Sequence, residues 1–136
     1  LFVDGTLGKF VSRNDSRALQ VKADPIHNSQ TVPIIVIVSE DTVSYGEIFA
    51  GVLKDLGRAK VVGQTSLGNV EVLHGYNFDD NSQVWIASET FYSATSETNF
   101  ELSGIIPDVE AFAEWDTITF ETDPSIKAAL GLLGHQ

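Results

Sequence analysis

The sequence contains no cysteine, which excludes a disulfide framework and any thiolate metal site and leaves the redox compartment open. It contains no methionine either and opens on Leu1, Phe2 and Val3, so an upstream portion is expected to precede it. Basic residues are scarce. Against 19 Asp and Glu stand 8 Lys and Arg, a formal charge of -11 that repels phosphate backbones and anionic lipid surfaces, so nucleic acid is not an expected partner. The carboxylates as a group are read as a solvated surface with no catalytic meaning. Long apolar runs are missing too: Ile34 to Val38 is far too short to cross a bilayer, and nothing near residue 1 has the charged-then-apolar order of a secretory leader. No His, Asp and Glu spacing matches a metal motif, and neither a metal nor a cofactor is expected.

What is present suffices for one domain. A chain of 136 residues, 43% of them hydrophobic, can bury a real core. Leu1 to Asp4 and Lys9 to Ser12 read as a hairpin around the turn Gly5-Thr6-Leu7-Gly8, and the polar stretch Arg13 to Thr31 as a loop. Ile34-Ile35-Val36-Ile37-Val38 has no alternation, the pattern of a central strand buried on both faces of a partly parallel sheet. Ile48, Val52 and Leu56, with Phe49 and Leu53, form the rows of an amphipathic helix that Gly57 ends. Lys60 to Gly63 is the next strand. Val70 to Tyr76 and Val84 to Ile86 alternate on either side of the turn cluster Asp79 to Ser82 and predict an antiparallel pair, which Thr90 to Tyr92 extends. Gly104 to Glu110 is a turn into an extended segment, and Asp123 or Ser125 caps a last helix through Leu133.

The chemistry centres on Ser44, at a strand-to-helix junction. A hydroxyl there lies beside free backbone N–H groups and the positive end of a helix dipole, where an oxyanion can be stabilised. Serine is equally a favoured N-cap, and local sequence alone ranks that plainer role first. The junction lacks the first glycine of the Gly-x-Ser-x-Gly elbow, because Thr42 and Val43 precede the serine.

A longer pattern changes the weighting. The Pro33 to Val38 strand, Ser44-Tyr45-Gly46-Glu47-Ile48-Phe49-Ala50-Gly51, Asp55-Leu56-Gly57-Arg58-Ala59, Val61-Val62-Gly63-Gln64, Gly68 and Gly104-Ile105-Ile106-Pro107-Asp108-Val109 together resemble the C-terminal processing (tail-specific) serine peptidases. The resemblance implies an α/β fold of the ClpP/crotonase type, a twisted sheet with flanking helices. It makes residues 1–136 the C-terminal part of a peptidase catalytic domain, and Ser44 its nucleophile. Tyr45 N–H would serve the oxyanion hole, and Glu47 would be a helix-surface or packing residue without a catalytic role.

One departure matters. Most members carry a lysine after the glycine of the Thr-Phe-Gly-Lys block as general base, whereas here Ser66-Leu67-Gly68-Asn69 puts asparagine there, and Leu73 replaces a family glutamine. An amide cannot take a proton from a hydroxyl near neutral pH, so no Ser-Lys dyad can be built on Asn69. The resemblance then leans towards the tricorn-core branch, in which a histidine from the upstream part of the domain is the base and a late glutamate joins the relay; Glu101, just before the Gly-x-x-Pro-Asp block, matches that place. The alternative is a groove that binds peptides or apolar ligands without catalysis. His74, with Glu71 nearby, is a second candidate base, and Asn69 with Gly68 can shape the groove. His27 in a polar loop and His135 near the end of the sequence are given no function. Trp85, Phe91 and Tyr92 are read as core. The implied partners are a protein or peptide substrate, the upstream half of the same domain and, at most, further copies of the chain; the family's habit favours an extracytoplasmic location.

Overall fold

Alternating and apolar segments of the chain become seven strands and two helices in the computed structural model, which describes residues 1–112, 114 and 116–134. In chain order they are β1 (Gly5–Ser12), β2 (Ser16–Val21), β3 (Ile35–Val38), α1 (Tyr45–Asp55), β4 (Lys60–Gly63), β5 (Val72–Asn77), β6 (Gln83–Ser93), β7 (Val109–Glu110) and α2 (Pro124–Leu132). The build is the expected mixed α/β one. Its strands divide between an antiparallel sheet of order β2-β1-β6-β5 and a parallel sheet of order β3-β4-β7. Helix α1 packs against β4 of one and β6 of the other, and Ser44 directly precedes its first residue.

Apolar burial holds the sheets around α1. Ile48, Ala50 and Val52 of the helix join Phe10, Val38, Val61, Val70, Phe91, Phe100 and Ile105 in one core. Phe91 meets the Phe10 ring edge-on at 5.3 Å and stacks on Phe100 at 6.1 Å. Truncating a fully buried phenylalanine of this kind to alanine costs about 3–5 kcal/mol. The Phe100 ring approaches α1 so closely that a Cβ on Gly51 would lie 2.5 Å from it. The helix ends as its sequence predicts: Gly57 at φ 63 donates to Lys54 O and Arg58 N–H reaches back to Leu53 O, the two bonds of a Schellman motif. At the other end of the chain, Asp123 caps α2 by accepting from Ser125 N–H at 2.7 Å.

Several expectations need correction. The predicted turn Gly5 to Gly8 is the start of β1, and the hairpin instead joins β1 to β2 through Arg13 to Asp15, with β2 inside the expected loop. Propensity favoured a turn at the glycines, but Gly8 is in the strand for packing: a Cβ there would collide with the Phe91 ring. Among the described residues strand β3 lies at an edge of its sheet, not at the expected central position. β4 holds the middle position between β3 and β7, and Ile37 is exposed on β3. Trp85 is not core either; it stands 60% exposed on the β5–β6 hairpin, which runs beyond the body of the sheet, whereas Phe91 on the same strand is fully buried. His135 lies outside the described residues.

Candidate active site

Strand β3 ends at Val38, and the chain turns through Ser39–Thr42, closed by Thr42 N–H on Ser39 O and Ser39 N–H on the Thr42 hydroxyl, both 2.9 Å. Ser44 follows as N-cap of α1 with φ 62 and ψ -128. An ordinary N-cap has extended φ and ψ, and a residue with a Cβ pays roughly 1–3 kcal/mol to hold a sparsely populated conformation. The strain persists because Ser44 N–H is fixed twice, by Asn69 O at 2.8 Å and by the Glu47 carboxylate at 3.1 Å. Ser44 is half-buried. The next residue, Tyr45, has no acceptor for its N–H among the described residues, so that donor stands free in the first turn.

Residues 66–70 form a strap across this helix end. On one side Leu67 N–H donates to Thr42 O at 3.1 Å. On the other, Ser66 exchanges bonds with Ile105, Leu102 N–H donates to Gly68 O at 2.9 Å, and Val70 N–H donates to Glu101 Oε2 at 2.9 Å. Gly68, at φ 80, permits the passage, since a Cβ there would stand 2.8 Å from Leu102 C. The strap joins Ser44 to the Gly-x-x-Pro-Asp block. Asp108 of that block fastens its far end by accepting from Val61 N–H at 2.8 Å and facing Lys54 at 3.5 Å.

Of the residues singled out by sequence, the strap thus brings together Ser44, Tyr45, Asn69 and Glu101. The Asn69 side chain is exposed and, with its amide oxygen and nitrogen exchanged, donates to the Glu71 carboxylate. Glu71 and Glu101 line one open cavity of about 370 Å³ with Arg13 and Glu89. His74 does not join them: it is exposed on β5, its ring edge-on to Tyr76 at 4.7 Å. His27 is exposed in its loop at φ 50. On the opposite flank of α1, Tyr45 lines an apolar cavity of about 400 Å³ with Leu7, Leu19, Ile48, Phe49 and Val52.

Of the two roles read for Glu47 from sequence, helix surface or packing, burial excludes the first. Glu47 is fully buried, and its carboxylate accepts from the Ser66 hydroxyl at 2.5 Å, Gly68 N–H at 2.6 Å, Asn69 N–H at 2.9 Å and Ser44 N–H at 3.1 Å. The spacing Ser44-x-x-Glu47 is that of a capping box, a signal that was available in the sequence. Nothing in the sequence pointed to Ser66.

The junction thus brings together a strained serine at a helix mouth, a free N–H beside it and the Glu101 carboxylate across the strap, groups of the kind serine-type peptidases use. A sequence model of peptidase family S41 matches residues 1–111, and the chain belongs to that family. Over its whole length it is 26% identical, across 153 aligned residues, to the probable CtpA-like serine protease of Staphylococcus aureus (strain COL), covering 30% of that protein. It is 29% identical over 102 residues to carboxyl-terminal-processing peptidase 3, chloroplastic, of Arabidopsis thaliana, where 74% of the chain covers 20% of the relative. The chain therefore spans less than a third of these curated relatives. Its fold matches the photosystem II D1 C-terminal processing protease with a TM-score of 0.72 at 24% identity, over 96% of this chain and 33% of the other. It matches the tricorn protease with a TM-score of 0.55 at 21% identity, over 98% and 13%.

Proposed function

We propose that the chain is the C-terminal part of the catalytic domain of a serine endopeptidase that cuts protein chains in their C-terminal regions. Ser44 Oγ attacks the scissile carbonyl carbon, and its proton passes to a base supplied by the upstream part of the domain. Tyr45 N–H, free in the first turn of α1, receives the carbonyl oxygen as it becomes negative. The carbon–nitrogen bond then breaks, the leaving amine takes the proton, and water releases the acyl group from Ser44. Glu101 orients the base from the far side of the strap.

The observation that carries this reading is the φ of 62 at Ser44. A serine that only capped a helix would relax into extended backbone, so the strain favours a nucleophile held in place. A fluorophosphonate probe applied to the full-length protein tests it: labelling is expected in the wild type and absent in Ser44→Ala, and the isolated 136-residue chain, without its base, is expected to take no label. Labelling that survives Ser44→Ala would remove this serine from the mechanism.

A second reading, a non-catalytic domain binding peptides or apolar ligands, draws on the apolar cavity beside Tyr45 and on asparagine in the family's lysine position. It predicts that full-length protein binds such ligands and takes no label.

A further inference from the structure

We infer that Glu47 is a positioning residue for the peptidase chemistry: its buried carboxylate locks the nucleophile and the strap into one rigid unit. The inference rests on the reading of Ser44 as nucleophile. It begins from a physical oddity. Glu47 is 0% exposed, and among the described residues no lysine, arginine or histidine forms an ion pair with it. Burying a charge without an ion pair is costly and persists only where hydrogen bonds replace water fully. Three of the four partners are backbone N–H groups, which can only donate, and the fourth is the Ser66 hydroxyl, so every partner of the two oxygens is a hydrogen-bonding group fixed in place. The first turn of α1 adds its positive dipole end.

The identity of the donors gives the network its meaning. A helix cap needs only local N–H groups, and packing alone would be served better by an apolar side chain of equal size. Glu47 instead takes one donor from the nucleophile, Ser44 N–H, and three from the strap, Ser66 Oγ, Gly68 N–H and Asn69 N–H. Ser66 in turn accepts from Ile105 N–H at 2.7 Å, which carries the connection to the segment holding Glu101. The carboxylate thereby ties the φ of Ser44 to the Leu67–Gly68 and Gly68–Asn69 peptides of the strap, and Ser44 N–H in turn holds the carbonyl of Asn69. An amide in its place would turn an NH2 group towards donors and open the junction. A displacement of about 1 Å at a reacting group can lower a rate by about 100-fold.

The experiment uses the full-length protein as wild type, Ser44→Ala, Glu47→Gln, Glu47→Asp and Ser66→Ala. It reads kcat and KM on an unfolded protein substrate, the rate of fluorophosphonate labelling, and thermal unfolding. Glu47→Gln is expected to lower kcat and the labelling rate together by about 10–100-fold, the usual range for a residue supporting a reacting group, with KM moved less than about twofold. Glu47→Asp keeps the charge with a shorter reach and recovers part of the loss. Ser66→Ala removes one donor and is expected to lower kcat by roughly 3–10-fold. A folded Glu47→Gln protein with wild-type kcat and labelling, or one whose loss lies in KM, overturns the inference while leaving Ser44 in its role. Should neither Glu47 variant fold, Ser66→Ala decides, and an unchanged kcat there overturns it. Wild-type protein that takes no label, or Ser44→Ala protein that still does, sinks the nucleophile reading and this inference with it.

Discussion

Ser44 and Glu101 grip opposite sides of a single peptide unit: the carbonyl of Asn69 accepts from Ser44 N–H at 2.8 Å, and the N–H of Val70 in the same plane donates to Glu101 Oε2 at 2.9 Å. Because the C=O and N–H of a trans peptide point in opposite directions, the two residues face each other across the strap. Glu101 is therefore tied to Ser44 through the strap peptide, a placement that supports the proposed orienting role. Glu101→Gln keeps an oxygen for Val70 N–H and removes the charge. In the full-length protein it is expected to lower kcat by about 10–100-fold with thermal stability little changed. Steady-state kinetics beside a melting curve check this; unchanged kcat would reduce Glu101 to a structural tie.

The strain at Ser44 makes its own prediction. Glycine adopts positive φ freely, whereas alanine at φ 62 keeps the strain. Ser44→Gly is expected to exceed Ser44→Ala in stability by about 1 kcal/mol, with both variants unlabelled by fluorophosphonate. Denaturant titration of the two proteins measures the difference, and equal stabilities would mean that Ser44 carries no strain.

Local signals that packing reinforced were legible in the sequence: the rows of α1 with its Gly57 stop, the β5–β6 pair and the Asp123 cap. Ser44 stands out at its strand-to-helix junction, whereas Tyr45, Asn69 and Glu101 are named through the family resemblance; the strap bonds Ser44 on one side and Glu101 on the other. The failures came where distant residues decide. Gly8 reads as a turn residue until Phe91, on a strand far along the chain, is placed against it. Ile34 to Val38 reads as a central strand because composition reports apolarity and not which strand lies alongside. Glu47 leaves helix surface and packing both open in the sequence, because its four donors come mainly from a segment about twenty positions away.

Gly68 sets the height of the strap over α1. Its φ of 80 disfavours any side chain, and a Cβ would meet Leu102 C at 2.8 Å and Gly104 N at 2.9 Å, both backbone atoms that cannot swing aside. Gly68→Ala is expected to cost about 2 kcal/mol or more and to weaken the Gly68 bond to Glu47. Chemical denaturation provides the stability measurement. Labelling by fluorophosphonate in the full-length protein should fall in parallel, and an alanine variant of wild-type stability would show that the strap can rise without penalty.

Asn69 occupies the family's lysine position, so the obvious repair is Asn69→Lys. The geometry argues that it fails. The side chain at 69 is exposed and directed to Glu71, and a lysine there would remain solvated and gain an anionic partner. Both influences favour the ammonium form, the reverse of the desolvation that makes a lysine basic enough to deprotonate serine near neutral pH. The isolated chain carrying Asn69→Lys is therefore expected to label no faster with fluorophosphonate than the Ser44→Ala control. Removing the competing charge as well, in Asn69→Lys with Glu71→Gln, leaves exposure as the remaining obstacle and is expected to gain less than about tenfold. Robust labelling of the single variant would show that residue 69 turns inward to Ser44 and that a lysine base fits this site after all.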